Sequence, residues 1–588
     1  MVMALTFESN LWCKAAERAP PWCTLRVVGE MRVFHLLPIW MILAAAPVLS
    51  AQEPVRARHA MVVTVEPHAT EVGVQVLESG GNAVDAAVAV GFALAVTHPS
   101  AGNLGGGGFM LLRLANGQAS FIDFRERAPS RAERDMYLGK DGKPTKDSDS
   151  GYRASGVPGT PRGLELAQRK YGVKAWAHVV QPAWRLASKG FIVSYGLAHG
   201  LNLSQERLNR FTDSKRIFLR GGQLYEPGEL FRQPELARTL KRIMKLGAKD
   251  FYEGETAHLI AADMQANGGL ITFEDLRQYK ALEREPLTGF YHGYSIITAP
   301  PPSSGGLGIL QILGMLESTG FEKAGAGSAL ATHYMAEAMR RYFADRSGYL
   351  GDPDFVDVPS SSLLDPNYLS ERRNTIDSEH ATPSSLISAG LPGIHESQNT
   401  THYSVVDTLG NAVSVTYTLN GSYGSGVTAA RTGVLLNNEM DDFSAKPGAP
   451  NQGQMSYAGE ANSIQPHKTP LSSMAPTIVL KDGNLYAVLG SPGGPTIINT
   501  VLEVIVNLVD FKMNVADAVA RPRFHHQWMP DRLQVERGFS PDTIERLKAR
   551  GHSVELISRQ GEVAAIVVNH GWLEGAADPR TEGSAKGY

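Results

Sequence analysis

Cysteine is almost missing from this chain: two in 588 residues, Cys13 and Cys23, both near the amino terminus. A fold built on disulfides, a thiolate nucleophile and a cysteine-ligated metal are all excluded for the body of the chain. The usual signatures of other catalysts are missing as well. There is no Gly-x-Ser-x-Gly elbow and no His-Glu-x-x-His zinc helix. Charge of one sign is also scarce, with a formal net charge of −3 and no long charged run. That balance argues against nucleic acid or an anionic membrane as the main partner and for a small substrate reached through a local pocket. What is present is ample apolar material, 43% of the residues, enough for one large or two globular domains.

The first fifty residues read differently from the rest. From Met31 a positive start leads into an apolar run from Leu36 to Leu49, then small and polar residues through Ser50-Ala51-Gln52. This pattern describes a secretory signal peptide over about 31–51, preceded by an upstream extension over 1–30. The run is too short for a comfortable membrane span, so no stable membrane anchor is expected. The expected location is periplasmic or secreted.

Along the body, Met61–Val65 reads as a strand. Asn82 can cap an alanine-rich helix over 82–96 that is apolar nearly all round and therefore buried. The following Gly105-Gly106-Gly107-Gly108 lacks the spacing of a phosphate loop or a dinucleotide fingerprint, and reads as close backbone packing beside a site. The strand over 119–124 delivers Arg125, either one half of a structural ion pair, the commoner role, or a two-pronged grip on a carboxylate. Amphipathic helices are expected at 164–171, 175–188, 234–246, 255–266, 307–318 and 329–345. The loop Pro300-Pro301-Pro302-Ser303-Ser304-Gly305-Gly306 is rigid and runs into a helix. From about Glu371 to Gln398 the chain turns polar and rich in Ser, Pro and Gly, the composition of a loose tail.

That tail ends on Asn399-Thr400-Thr401-His402, and two alternating runs follow, 401–406 and 412–419, around a turn at 407–411. Thr400, His402 and Ser404 share one face of the first strand, and Thr416 and Thr418 one face of the second. The pattern predicts that the chain cuts itself between Asn399 and Thr400. The α-amine so freed has a pKa of about 7.7–8.0, so it can take the Thr400 hydroxyl proton without a histidine relay. Before the cut that nitrogen is an amide, and the precursor is inactive. Everything upstream is expected to build one half of the pocket and everything downstream the other. Gly493-Gly494 is either a nest of N–H donors for an oxyanion or a plain tight turn. Glu439, Asp441 and Asp442 either meet a cationic substrate atom or are solvated surface.

Taken together, Thr400-Thr401-His402-x-Ser404, Gly410-Asn411-x-Val413, Thr416-x-Thr418-Leu419-Asn420 and Tyr423-Gly424 closely resemble the signature of the γ-glutamyltranspeptidases. The likeness extends through Phe124-Arg125-Glu126, the Pro-Pro-Pro-Ser-Ser-Gly-Gly loop, Asp441-Asp442-Phe443-Ser444, Leu471-Ser472-Ser473-Met474 and Ser491-Pro492-Gly493-Gly494, to Pro522–His526 and Asp578-Pro579-Arg580. It implies an α/β four-layer αββα sandwich of the N-terminal nucleophile hydrolase type, built jointly by a large chain (52–399) and a small chain (400–588). It also implies a γ-glutamyltransferase and glutathione hydrolase with no cofactor and no metal. Thr400 would be the nucleophile, Thr418 would steady it, and Gly493 with Gly494 would form the oxyanion hole. Arg125, Ser472 and Ser473 would hold the α-carboxylate of the γ-glutamyl group; Asn420, Glu439 and Asp442 its α-ammonium. His402, His525 and His526 are left structural. Related bacterial enzymes carry a lid tyrosine near the Pro-Asn of this region, whereas here Pro450-Asn451 is followed by five residues before Tyr457. Two rivals stand beside this reading: a β-lactam side-chain acylase on the same fold, and a catalytically inactive binding protein.

Overall fold

The computed structural model describes residues 52–388, 400–446 and 459–588. The expected signal segment, Asn399 and the stretch around Tyr457 lie outside the described residues. Two seven-stranded sheets carry the architecture. One runs in the order Ser584–Gly587, Met61–Thr64, Thr401–Val406, Ala412–Thr418, Gly107–Arg113, Ala119–Asp123 and Leu282–Arg284. The other runs Val55–Ala57, Trp572–Ala577, Ala564–Asn569, Asn484–Gly490, Thr477–Lys481, Tyr294–Thr298 and Leu287–Tyr291. Each sheet interleaves strands from before and after residue 400.

Alternation along the strands makes the layers. Val62, Met110, Leu112, Val405, Val413 and Val415 face outward onto helices that include Pro67–Glu78 and Ala83–Thr97. Their neighbours Met61, Val63, Phe109 and Leu111 face the second sheet, in a core that continues to the helices Gly305–Leu316, Ala329–Tyr349 and Thr496–Val509. The result is a mixed α/β sandwich, helices outside two facing sheets. The Ala83–Thr97 helix is buried at every position, and the Asn82 side chain caps it by accepting from Val84 and Asp85 N–H. Its small residues let two strand tyrosines reach its backbone: Tyr403 donates to Ala87 O (2.9 Å) and Tyr417 to Gly91 O (3.0 Å).

The expected helices and strands are present within a few residues of their predicted ends. The polar tail is the exception. Pro366–Asn374 is a helix, capped by Asp365. Beyond it, Thr375 and Thr382 accept hydrogen bonds from Arg341, and Trp528 Nε1 donates to Ser384 O and Ile387 O. These polar residues are there to satisfy buried arginines and an indole, so composition alone misread 371–388 as loose.

Candidate active site

The hairpin 401–418 is fastened from inside by polar groups. His402 lies opposite Thr416 in the ladder, with Nδ1 2.9 Å from Thr416 Oγ1 and Nε2 3.1 Å from Ser404 Oγ. Ser404 Oγ donates to Ala564 O and Ser414 Oγ to Leu489 O, stitching one sheet to the other. Burial pushes the His402 pKa down to about 3, so this ring is a neutral structural spacer.

Thr400 stands at the head of this strand, half-buried. Around it one narrow cleft is lined by Arg125, Thr400, Thr418, Asn420, Glu439, Asp442, Ser472, Ser473 and Gly494. Gly493 lines the adjoining chamber, of about 430 Å3, which Thr400 also borders. Every described residue to which the resemblance gave a catalytic or binding role thus lies within one or the other, whereas Asp441 lines neither. Asn399 and Tyr457 fall outside the described residues.

The division of labour between the halves differs from expectation. Arg125 alone among those cleft residues comes from upstream of Thr400. The rest of the upstream chain acts from behind. Asn103 Nδ2 donates to Thr418 O (2.7 Å), and its Oδ1 accepts from Gly106 N–H (3.0 Å). At Gly106 a Cβ would sit 2.0 Å from Thr418 O, and at Gly108 2.4 Å from the Tyr417 side chain. The glycine run is therefore close backbone packing, as its spacing indicated. Ser304 N–H and Oγ both donate to Ser472 O (2.6 and 2.7 Å), and Ser303 Oγ donates to Met474 O. Arg346 Nη2 donates to Ser473 Oγ at 3.3 Å. The Pro-Pro-Pro-Ser-Ser loop is thus a buttress for the serine pair.

Three acids gather on one guanidinium. Arg125 donates to Glu439 and Asp442 through its two terminal nitrogens, and Glu126 lies 3.8 Å away. All four side chains are buried. Loss of water outweighs the arginine's attraction at Glu126, whose pKa rises to about 7, and burial holds Glu439 well above the carboxylate range. Asp441 is not solvated surface either: it accepts from Ser148 Oγ at 2.5 Å, and burial raises it to about 7. Asn437, which the sequence reading passed over, cements the turn beneath these acids by donating to Gly105 O and Gly156 O and accepting from Glu439 N–H. Its signal was an amide pair, Asn437-Asn438, set directly before an acidic run.

Gly493 and Gly494 have φ of 136° and 59°, a left-handed backbone that favours glycine. They precede the helix Thr496–Val509, and Gly494 O accepts from Ile497 N–H. At Thr418, Oγ1 accepts from Asn420 N–H (2.8 Å), so its own proton can point elsewhere. The arrangement has the Thr400 residue bordering a narrow, charged cleft with Gly494 in its wall, and Gly493 in the adjoining chamber.

One group of potential metal ligands stands apart. His333, Glu337 and His552 place ligand atoms within 4.8 Å of one another. Glu337 already bonds Arg340 and Arg341, and two guanidiniums beside it oppose a further cation.

The chain is similar to known proteins over most of its length. A relative from Escherichia coli (strain K12), a glutathione hydrolase proenzyme, is 51% identical over 97% of this chain and 95% of its own length. A Helicobacter pylori gamma-glutamyltranspeptidase structure is 48% identical, with a TM-score of 0.54 over 55% of this chain and 93% of that one. A Bacillus halodurans cephalosporin acylase is 26% identical, with a TM-score of 0.81 over 96% of this chain and 99% of its own. The gamma-glutamyltranspeptidase family model matches residues 69–588, from the first outer helix to the last strand. Matched by that family model over nearly all its length and by a relative at 51% identity, the chain belongs to the gamma-glutamyltranspeptidase family.

Proposed function

We propose that this protein is a γ-glutamyltransferase and glutathione hydrolase that activates itself by cutting its own chain before Thr400. The single observation that carries this is the convergence of Arg125, Glu439, Asp442, Ser472 and Ser473 on the cleft that Thr400 borders. In the precursor, Thr400 Oγ1 attacks the Asn399 carbonyl, the acyl group moves from nitrogen to oxygen, and water hydrolyses the ester. Two chains result, about 52–399 and 400–588, in a secreted or periplasmic enzyme.

In the mature enzyme the Thr400 amine accepts the Oγ1 proton as the oxygen attacks the γ-carbonyl of glutathione or a related amide. Gly493 and Gly494 N–H groups stabilise the oxyanion, and Thr418 Oγ1 steadies the Thr400 hydroxyl and amine. Collapse expels the amine, protonated by the Thr400 ammonium, and leaves a γ-glutamyl ester. Water, an amino acid or a peptide then takes the acyl group. The resting contacts of Arg125 explain the preference for an α-amino acid headgroup. A zwitterion takes over both sides of the resting Arg125 ion pairs: its carboxylate meets Arg125, Ser472 and Ser473, and its ammonium takes Glu439, Asp442 and Asn420. No buried charge is then left without a partner, which would be costly.

The test pairs processing with turnover. Thr400→Ala should run as one unsplit chain on a denaturing gel and release no p-nitroaniline from γ-glutamyl-p-nitroanilide. A split Thr400→Ala protein would overturn the self-cleavage. The acylase alternative is separated by a glutaryl amide, which carries the carbonyl and chain but no ammonium for Glu439 and Asp442. Preference for the γ-glutamyl compound supports the reading, and equal turnover of the two refutes it. An unsplit wild-type chain that binds glutamate without consuming γ-glutamyl amides would mark an inactive binding protein.

A further inference from the structure

The two halves of the headgroup cleft come from separate stretches of chain. Glu439 and Asp442 belong to the short turn Glu439–Asp442. Ser472 and Ser473 follow Leu471, whose carbonyl accepts from Arg125 Nη2 at 3.1 Å. The span between these halves has to be set by something that touches both, and Asn462 does. Fully buried at the end of the turn Glu460–Asn462, it donates through Nδ2 to Asp442 O (2.7 Å) and accepts at Oδ1 from Leu471 N–H (3.0 Å). A carbonyl on one side and an N–H on the other fix the orientation of the amide. Both partners are backbone groups, so neither can turn away as a side chain would.

Asn462 is itself held. Its carbonyl accepts from Ser444 N–H (3.0 Å), two residues past Asp442. The Lys468 ammonium donates to the carbonyls on either side of it, Ala461 O (2.7 Å) and Ser463 O (3.0 Å). Lys468 is buried, and loss of water lowers its pKa to about 8. A cation is kept out of water here, at a cost in solvation, to hold the two carbonyls that flank one asparagine.

We infer that Asn462 is a positioning residue for substrate recognition: it sets the span between the acids that take the α-ammonium and the arginine and serines that take the α-carboxylate, and so selects an α-amino acid headgroup over a carboxylate alone. The inference rests on the headgroup reading proposed above. Both charges of an α-amino acid hang from one carbon, so their separation is fixed, and a cleft meets the two together only if its halves keep the matching span. A ligand with a carboxylate alone makes no such demand, because it uses one half. Asn462 touches neither substrate nor Thr400 and acts through the backbone of Asp442 and Leu471.

The experiment reads competitive inhibition of γ-glutamyl-p-nitroanilide hydrolysis by L-glutamate, which carries both groups, and by glutarate, which lacks the ammonium. An inhibition constant does not depend on how much of the protein is folded or split, so a merely structural defect leaves it unmoved. Asn462→Asp keeps an acceptor for Leu471 N–H and replaces the donor to Asp442 O with an oxygen. The preference for glutamate over glutarate should then fall by about tenfold, the worth of one buried hydrogen bond. KM for γ-glutamyl-p-nitroanilide should rise in step with kcat kept within about twofold, the mark of lost ground-state binding. Lys468→Met frees the carbonyls flanking Asn462 without adding a charge to the core. It should lower the same preference by about threefold, a fraction of one hydrogen bond, and decides the matter if Asn462→Asp does not fold. An undiminished preference overturns the assignment, and so does a folded, split variant that has lost turnover, since a spacer leaves the chemistry at Thr400 intact. Equal binding of glutarate and L-glutamate by the wild type would instead sink the headgroup reading itself, whereas a wild-type preference that the variants keep sinks only the role of Asn462.

Discussion

At the scale of single residues, the active cleft is an exercise in holding like charges together out of water. One guanidinium serves Glu439 and Asp442 directly, with Glu126 close by. Arg125→Ala would leave these acids buried without their cation, so it should lose stability as well as substrate affinity, by about 3–5 kcal/mol. Denaturant unfolding measures the first and the KM for γ-glutamyl-p-nitroanilide the second. Asp441 gives a pH dependence whose sign follows from its burial. Its carboxyl titrates at about 7 in the folded chain, against an ordinary value of 3.8. The folded protein therefore binds the extra proton between those values, and Asp441's contribution to stability, full below pH 3.8, is lost as pH rises towards 7. Asp441→Asn should flatten that part of the melting-temperature profile. If the slope persists in the variant, its source lies elsewhere.

At the scale of elements, the strand Ala412–Thr418 is positioned by what presses on it from behind. Gly106 is the tightest point, because a methyl group there would overlap the Thr418 carbonyl. Gly106→Ala should therefore push the end of the Ala412–Thr418 strand and Asn103 out of place. A cost of roughly 1–3 kcal/mol is expected from such overpacking, and self-cleavage should slow, since Thr418 no longer stands where Thr400 needs it. A time course of chain splitting on denaturing gels, with a thermal melt alongside, reads both effects. The same logic explains which elements were legible in advance. Strands 401–406 and 412–418 and the Ala83–Thr97 helix announce themselves by period, because one or both faces are buried. The stretch 371–388 did not, since its order comes from Arg341 and Trp528, distant partners that no local pattern records.

At the scale of the molecule, a cut before Thr400 would not divide the fold. Met61–Thr64 is hydrogen-bonded between Ser584–Gly587 and Thr401–Val406, and Val55–Ala57 pairs with Trp572–Ala577. Each sheet loses its continuity if either part leaves. The two processed chains should therefore co-elute on gel filtration at neutral pH and separate only in denaturant. Elution as separate species without denaturant would contradict the interleaved sheets.

The sequence alone determined the family and pointed to the proposed nucleophile and the residues proposed to surround it. Threonine ahead of an alternating strand, the absence of any rival nucleophile motif and the spacing of separated signatures are local facts, written in the order of the chain. Tertiary structure decided the rest. It put Arg125 against the very acids expected to share its substrate, reduced the upstream half of the pocket to one lining side chain with buttresses behind it, and made His402 a neutral spacer. It also set Asn462 between Asp442 and Leu471. Such outcomes depend on which side chains meet after the chain has folded and how much water they lose there, and residues hundreds of positions apart hold no trace of either.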